Sequence, residues 1–133
     1  YIAEHGLPDA PGSLSQRRCV RFPYSGYKSC WHFRGKSGRI VAVPVDGEIV
    51  ISNALALKRC VLEGLGPGLL ADWMIAQKLK DGSLIDLFPR QEATAAEFDT
   101  SAWLVYPSRA YLPGKLRVFI DFLREKLEES PAQ

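Results

Sequence analysis

Short apolar runs alternate with polar or glycine- and proline-rich stretches along the chain, and this pattern predicts several short secondary-structure elements. A short helix is predicted for residues 1–5. Gly6 would end this helix, and Pro8 would prevent it from continuing. After a loop rich in Pro, Gly and Ser, residues 19–22 predict a short strand that ends at Pro23. The first part of the chain is therefore expected to contain one helix and one strand.

A β-hairpin is predicted next, followed by a tight turn and another strand. Residues 31–33 and 40–45 have the pattern of two hairpin strands around a glycine-containing turn. Asp46-Gly47 is a strong turn signal before a predicted strand at residues 48–51. The proline near the end of the second hairpin strand predicts an edge position or a bulge.

Apolar residues at helical spacing predict three further helices. Ser52 or Asn53 is well placed to cap a helix over residues 54–63, and Asp72 to cap a helix over residues 73–80. The third helix is strongly amphipathic, and its apolar positions are Leu116, Phe119, Ile120, Leu123 and Leu127.

The predicted elements together indicate a mixed α/β fold. The remaining short runs predict strands at residues 69–71, 84–88 and 102–106 and a loop at residues 90–100. Because strands and helices alternate from Ile49 to Phe88, we expect helices that cover a partly parallel sheet.

Length and composition place the chain among single globular domains. It has 133 residues, of which 47% are hydrophobic and 24% charged, and these ordinary globular values predict order for most of the chain. No apolar run is long enough for a transmembrane helix, and no signal peptide is visible. The three cysteines, Cys19, Cys30 and Cys60, are an odd number, which favours a reduced, cytoplasmic protein over a disulfide scaffold.

The basic residues are concentrated in the first third of the chain. The net charge is only +2, yet no acidic residue lies between Asp9 and Asp46. The cations of this span are Arg17, Arg18, Arg21, Lys28, Arg34, Lys36 and Arg39. Such asymmetry predicts an anionic partner. Interleaved aromatic residues would suit single-stranded nucleic acid, but a hairpin with a solvated basic face is the favoured interpretation.

Most signatures of enzymes and metal sites are missing from the sequence. There is no Gly-x-Ser-x-Gly elbow, no Walker loop and no Cys-x-x-Cys or His-x-x-x-His pair, so we expect no catalytic residue, metal or cofactor. The glycines of residues 64–68 follow a helix instead of a strand and are interpreted as a helix stop and tight turn. Cys19 and Cys30 flank a loop among cations, which would lower a thiol pKa, so a redox pair is a minor alternative.

Several segments resemble, in the right order, the effector domain of LysR-type transcriptional regulators. They are residues 1–8, 31–33, 62–73, 82–89, 103–109 and 112–123. One of these segments, residues 62–73, begins Leu-Glu-Gly-Leu-Gly-Pro-Gly and ends Ala-Asp-Trp. The resemblance covers nearly the whole chain.

The resemblance implies a fold similar to periplasmic binding proteins, in which two α/β lobes enclose a small-molecule cleft. Residues 1–98 would form the second lobe, a mixed sheet flanked by helices, and residues 99–133 the return segment and C-terminal helix of the first lobe. The DNA-binding winged helix-turn-helix would lie outside this chain, so the chain alone should not bind operator DNA. We expect the C-terminal helix to dock on the remaining lobe or on a second copy of the chain.

The resemblance also implies where an effector binds. The cleft-lining positions are Pro23, Tyr24, Ser25, Ser52, Asn53 and Ala54. Together with Arg21, these residues would suit a small carboxylate or an aromatic acid. The residues themselves give partial support, since a helix that begins at Asn53 presents free N–H groups and a positive dipole end. An equal alternative is that Asn53 is only a helix cap.

The helix over residues 54–63 resembles the one that family members use in side-by-side dimers, which makes Leu55, Arg59 and Leu62 interface candidates. The leading hypothesis is therefore a cytoplasmic, effector-sensing domain that binds a small anionic molecule and modulates DNA binding by a dimeric or tetrameric full-length regulator. The alternatives are a periplasmic-type solute-binding protein, an α/β enzyme, a nucleic-acid binder and a redox-sensing regulator that uses Cys19 and Cys30.

Overall fold

The computed structural model of the protein describes residues 1–25, 27, 29–98, 105 and 113–128. The chain divides into two compact units, residues 1–100 and 101–133. The elements of the first unit are α1 (Ile2–His5), a 3₁₀ helix (Pro11–Gln16), β1 (Cys30–Gly35), β2 (Ile40–Pro44), α2 (Ala54–Leu62), α3 (Asp72–Lys80) and β3 (Gln91–Thr94). The second unit contains α4 (Gly114–Glu128).

A three-stranded antiparallel sheet with β1 in its centre carries the core of the first unit. Trp31 lies opposite Val43 on β2, and Phe33 lies opposite Ala93 on β3. The buried side chains of the core cluster are Leu14, Cys19, Trp31, Phe33, Val43, Val45 and Ala95. The predicted hairpin is confirmed, and so is the edge position of the proline, since Pro44 ends the edge strand β2.

Parallel pairing is present, but it consists of isolated bridges. Arg18 is bridged to Asp46, Val20 to Gly68 and Arg21 to Val50, all in parallel orientation. The segments predicted as strands at residues 19–22 and 48–51 therefore pair with each other through isolated bridges, without forming a regular ladder. The α/β class is confirmed, and among the described residues the parallel pairing lies in these bridges while the three-stranded sheet is antiparallel.

Two sequence predictions near the end of the first unit are wrong. Residues 84–88 form no strand, because Leu84 N–H donates to the Lys78 carbonyl (2.9 Å) and Phe88 N–H to the Asp86 carboxylate (2.9 Å), which closes local turns instead. The predicted loop contains β3, in which the guanidinium Nε of Arg34 donates to Glu92 across the strands (3.0 Å). This cross-strand ion pair gives a polar segment a reason to join the sheet.

The remaining strand predictions have two outcomes. Residues 69–71 form no regular strand in the structure, and Gly68 carries the single bridge at that point. The predicted strand at residues 102–106 lies outside the described residues apart from Val105.

The helix ends follow the local sequence closely. The side chain of Asn53 caps α2, as predicted, whereas α3 begins with Ala71 as its N-cap and Asp72 as its first residue. The prediction that Asp72 is the cap is therefore wrong, although a carboxylate in the first turn still favours the helix through the dipole. Gly6, at a φ of 70°, ends α1 as expected.

The second unit confirms the amphipathic helix. Pro113 precedes α4, and its carbonyl accepts from Leu116 N–H (2.9 Å). Large apolar side chains of α4 are exposed, namely Val118, Phe119 and Phe122. That this helix docks on the rest of the domain or on a second copy stays a prediction.

Candidate functional site

The two groups of predicted site residues follow two segments that pair in parallel. Arg21 N–H donates to the Ile49 carbonyl (3.0 Å), and Ile51 N–H donates to the Arg21 carbonyl (2.9 Å). Because the segments are parallel, both leave the pair at the same edge. The turn that begins at Pro23 and the turn that leads into α2 through Ser52 therefore start side by side.

The second turn is organised by the helix cap. The Asn53 side-chain oxygen accepts from Leu55 N–H (2.9 Å) and from Ala56 N–H (3.0 Å). The structure thus shows the capping role of Asn53, and a contact between Asn53 and a ligand stays a prediction. The capped end of α2 also carries the positive end of the helix dipole, which attracts anions.

The first turn exposes hydroxyl groups beside an aromatic pair. The rings of Phe22 and Tyr24 are stacked at a centroid distance of 5.4 Å. Tyr24 is 63% exposed, so its ring rests on Phe22 while its edge faces solvent. Ser25, which follows, is also exposed. These side chains offer hydrogen-bond donors in the turn that follows the parallel pair.

The guanidinium of Arg21 is buried within the parallel pair. It donates to the Gly47 carbonyl and forms an ion pair with Asp46 (3.1 Å), at the end where the second segment enters the pair. The side chain of Arg21 is only 10% exposed, whereas that of Asp46 is 91% exposed. A contact between Arg21 and a ligand, predicted from the sequence, stays a prediction.

Two glycines allow the chain to come close to residues 18 and 19. A Cβ atom on Gly47 would overlap the Cys19 carbonyl oxygen, and one on Gly66 would overlap the Arg18 carbonyl oxygen. The interpretation of residues 64–68 as a helix stop is confirmed at Gly64, which has a φ of 75° after α2. The close approach at Gly66 was not predicted, and the spacing of three glycines at every second residue was the only sign of it.

Cys19 corrects the expectation of an acidic thiol. Burial raises the pKa of Cys19 to about 11, and the nearby cation Arg21 opposes this only in part. The three cysteines are free, with Cys19 in the core and Cys30 and Cys60 half-buried. A buried protonated thiol is a poor nucleophile, so Cys19 does not have the environment of a reactive redox cysteine.

The described residues include no group of three or more His, Cys, Asp or Glu side chains that could hold a metal ion. Among the described helices, none combines the length and the apolar character that crossing a membrane requires.

A groove of about 780 Å³ lies elsewhere in the first unit. Its walls include Leu69, Ile75, Leu84 and Phe88, which belong to α3 and to the irregular segments on either side of it. None of the residues predicted to bind the effector lines this groove. The groove and the predicted site are therefore different regions of the unit.

Comparison with known proteins identifies the family. A sequence profile described as the LysR substrate binding domain matches residues 1–128. The chain belongs to the LysR substrate-binding domain family. This confirms the resemblance, and it also supports an origin among bacterial transcription regulators over the solute-binding and enzyme alternatives.

Members of the LysR family with curated names are similar over almost the entire chain. The HTH-type transcriptional regulator PtxR of Pseudomonas aeruginosa is 30% identical over 132 residues, which cover 98% of this chain and 40% of that protein. The regulator DmlR of Escherichia coli is 27% identical over 130 residues, or 97% of this chain and 40% of that protein. The chain thus spans about 40% of the length of these relatives.

A solved LysR-type regulator confirms the fold. The structure of CrgA from Neisseria meningitidis matches with a TM-score of 0.73 and 26% identity, over 96% of this chain and 42% of that chain. The CrgA regulatory domain alone matches with a TM-score of 0.72. The periplasmic-binding-protein-like α/β class expected from the sequence is therefore supported by a solved relative.

Proposed function

We propose that this chain is the effector-sensing part of a LysR-type transcription regulator and binds a small carboxylate between its two adjacent turns. The observation that supports the proposal is the parallel pairing at Arg21, which both the turn after Phe22 and the capped start of α2 follow in the same direction. Exposed hydroxyl groups on one side and a helix N-terminus on the other suit a small anion. The ligand-contacting residues of the proposal are Pro23, Tyr24, Ser25, Ser52, Asn53 and Ala54.

The whole regulator would work by a change in the relation of its lobes. In this proposal residues 1–98 form one lobe and residues 99–133 return to the other. An effector that binds one arrangement of the lobes better shifts the population toward it, and the coupling changes the affinity for DNA. Parts of the regulator outside this chain contact the DNA, the regulator acts in the cytoplasm as a dimer or tetramer, and the chain performs no catalysis. The names of PtxR and DmlR as HTH-type transcriptional regulators support this proposal.

Calorimetric titration with acetate, succinate and benzoate tests the binding step. We expect one of these carboxylates to bind with a 1:1 stoichiometry. Because a hydrogen bond to a charged group is worth about 1.5–3 kcal/mol, Ser25→Ala or Ser52→Ala should weaken binding by roughly tenfold or more. Ser37→Ala is the matched control, since Ser37 is an exposed serine in the turn between β1 and β2, and it should leave the affinity unchanged. Carboxylate binding that neither site variant weakens would overturn the proposed site.

A further inference from the structure

Two arginines join the parallel segments that lead to the proposed site, and they differ sharply in burial. Arg18 pairs with Glu48, and both side chains are about 80% exposed. Arg21 pairs with Asp46 and donates to the Gly47 carbonyl, and its own side chain is only 10% exposed. An exposed ion pair contributes little to stability, whereas a buried guanidinium bonded to its acceptors holds a defined geometry.

Arg21 also carries the backbone hydrogen bonds of the pair. Its N–H donates to the Ile49 carbonyl and its carbonyl accepts from Ile51 N–H. With its side chain on Asp46 and Gly47, this one residue contacts four residues of the opposite segment. The first turn begins two residues after Arg21, and the cap of α2 lies two residues after Ile51.

We infer that Arg21 is a positioning residue, which sets the spacing between the two ligand-contacting turns by holding segment 18–21 in register against segment 46–51. The inference rests on the proposed function and gives Arg21 a role different from ligand contact. The side chain adds to the backbone bonds in fixing the register, because it contacts Gly47 and Asp46 at the start of segment 46–51 while both turns follow the backbone bonds of Arg21. A shift of one residue would separate the turns by about 3.3 Å.

The chemistry of guanidinium makes the role specific for arginine. The Gly47 carbonyl and the Asp46 carboxylate both contact one guanidinium nitrogen, Nη2, whose N–H groups have fixed directions in the guanidinium plane, whereas an ammonium is a point charge on a flexible stem. Arg21→Lys should therefore keep the positive charge but hold the two segments less firmly in register. Arg21→Met keeps an apolar stem and removes both contacts.

Amide exchange without ligand, measured by NMR, tests the positioning role directly. In Arg21→Met we expect at least tenfold faster exchange at Ile51 N–H and at the capped Leu55 N–H. Arg21→Lys should give an intermediate increase, and Asp46→Asn, at an exposed carboxylate, a smaller one. Arg18→Met is the matched control and should change neither amide. The Asp81 amide, which donates to the Gln77 carbonyl (3.0 Å) at the end of α3, reports on the rest of the fold and should stay unchanged.

Two results would overturn the inference. One is unchanged exchange at Ile51 and Leu55 in Arg21→Met. The other is an equal increase at Asp81 in both Arg21→Lys and Asp46→Asn, which would mean that Arg21 stabilises the whole unit without positioning the turns. If Arg21→Met does not fold, the exchange rates at Ile51, Leu55 and Asp81 in Arg21→Lys and Asp46→Asn still show whether Arg21 positions the turns or stabilises the whole unit.

Benzoate titration separates this inference from the proposed function. If benzoate binds the unchanged protein, Arg21→Met should weaken it about tenfold, Arg21→Lys less, and Arg18→Met by less than twofold. If none of the tested carboxylates binds the unchanged protein, the carboxylate proposal fails while the exchange experiment still decides the positioning role. If benzoate binds and all three variants bind equally well, the positioning role fails and the proposed function stands.

Discussion

Cys19 illustrates how the surroundings of one residue decide its chemistry. The basic residues around it in the sequence favour a low thiol pKa, yet the side chain is 1% exposed and desolvation dominates. The folded thiol titrates near 11 instead of near its ordinary value of 9.0. In the folded protein the thiol is therefore protonated at neutral pH.

A thiol-reactive dye should distinguish the cysteines of the native protein. We expect Cys30 and Cys60, which are half-buried, to react before Cys19, because the thiolate is the reactive form and Cys19 is both protonated and covered. Cys19 should react only at the rate of unfolding, and Cys19→Ala serves to assign its signal. Labelling of Cys19 in the native state at a rate equal to that of Cys30 would contradict the burial.

The same pKa predicts a loss of stability at high pH. The unfolded thiol loses its proton near pH 9 and the folded thiol only near pH 11, so the unfolded state is favoured progressively as the pH rises between these values. At about 1.4 kcal/mol per pKa unit, the free energy of unfolding should fall by about 3 kcal/mol over this window. Urea unfolding of the protein and of Cys19→Ala measures the difference between their pH slopes. Cys60→Ala is the control, and its free energy of unfolding should fall with rising pH as much as that of the unchanged protein.

Gly47 and Gly66 are the positions where substitution by alanine should reduce the stability of the fold most. The added Cβ would overlap a backbone carbonyl at each site, and Gly66 also has a φ of 148°, which L-residues rarely adopt. We expect Gly47→Ala and Gly66→Ala each to lower the free energy of unfolding by about 3 kcal/mol or more, against about 0.5 kcal/mol or less for Gly12→Ala, which has open space. Urea unfolding curves give these values. A cost at Gly66 no larger than at Gly12 would contradict the close approach.

At the scale of elements, features that depend on neighbouring residues are predicted correctly from the sequence. Features that depend on residues distant in sequence are not. Asn53 as a cap, the hairpin and α4 follow from neighbouring residues, and all are confirmed. β3 was missed because its polar sequence joins the sheet through a partner 58 residues away in sequence, Arg34. The strand prediction for residues 84–88 is wrong because a short apolar run does not by itself show that a neighbouring strand is available for pairing.

The candidate site shows the same division. The turn after Phe22 and the cap at Asn53 were predicted from resemblance and local pattern, and the structure brings the two turns to one edge. The burial of Arg21 against Asp46 and the close approach at Gly66 were not predicted, because both depend on segments that meet only in the fold.

The Asn53 cap gives a prediction that separates stability from binding. Asn53→Ala should lower the free energy of unfolding by about 1 kcal/mol, since the N–H groups of Leu55 and Ala56 lose their acceptor. Asn53→Asp keeps an acceptor and places a negative charge at the dipole end, so stability should be preserved. If the proposed site is correct, the same aspartate should repel a carboxylate and weaken benzoate binding more than alanine does. Thermal unfolding of both variants tests the effect on stability, and benzoate titration tests the effect on binding. An Asn53→Asp variant that binds benzoate normally would contradict an anion site at this turn.

At the scale of the whole molecule, each unit exposes large apolar side chains. On α2, Leu57 is buried while Leu55, two residues earlier, is 65% exposed. Arg59 on the same helix forms an i,i+4 ion pair with Glu63. A helix with one face in the core and an exposed leucine beside a charged pair has the composition of an interface with a polar rim.

The predicted self-association through α2 can be tested with single charges. Leu55→Glu should shift the protein from dimer to monomer in sedimentation velocity, because a carboxylate buried opposite its own copy is costly. Leu7→Glu is the matched control, since Leu7 is 56% exposed in the loop after α1 and lies outside the predicted interface. Phe119→Glu, at a residue 51% exposed on α4, tests the other apolar surface. Loss of the dimer in Phe119→Glu but not in Leu55→Glu would assign self-association to α4 and overturn the role predicted for Leu55, Arg59 and Leu62. Loss of the dimer in Leu55→Glu alone would mean that the second copy packs against α2. Because the capped start of α2 contributes to the proposed effector site, effector binding and subunit contact would then involve the same helix.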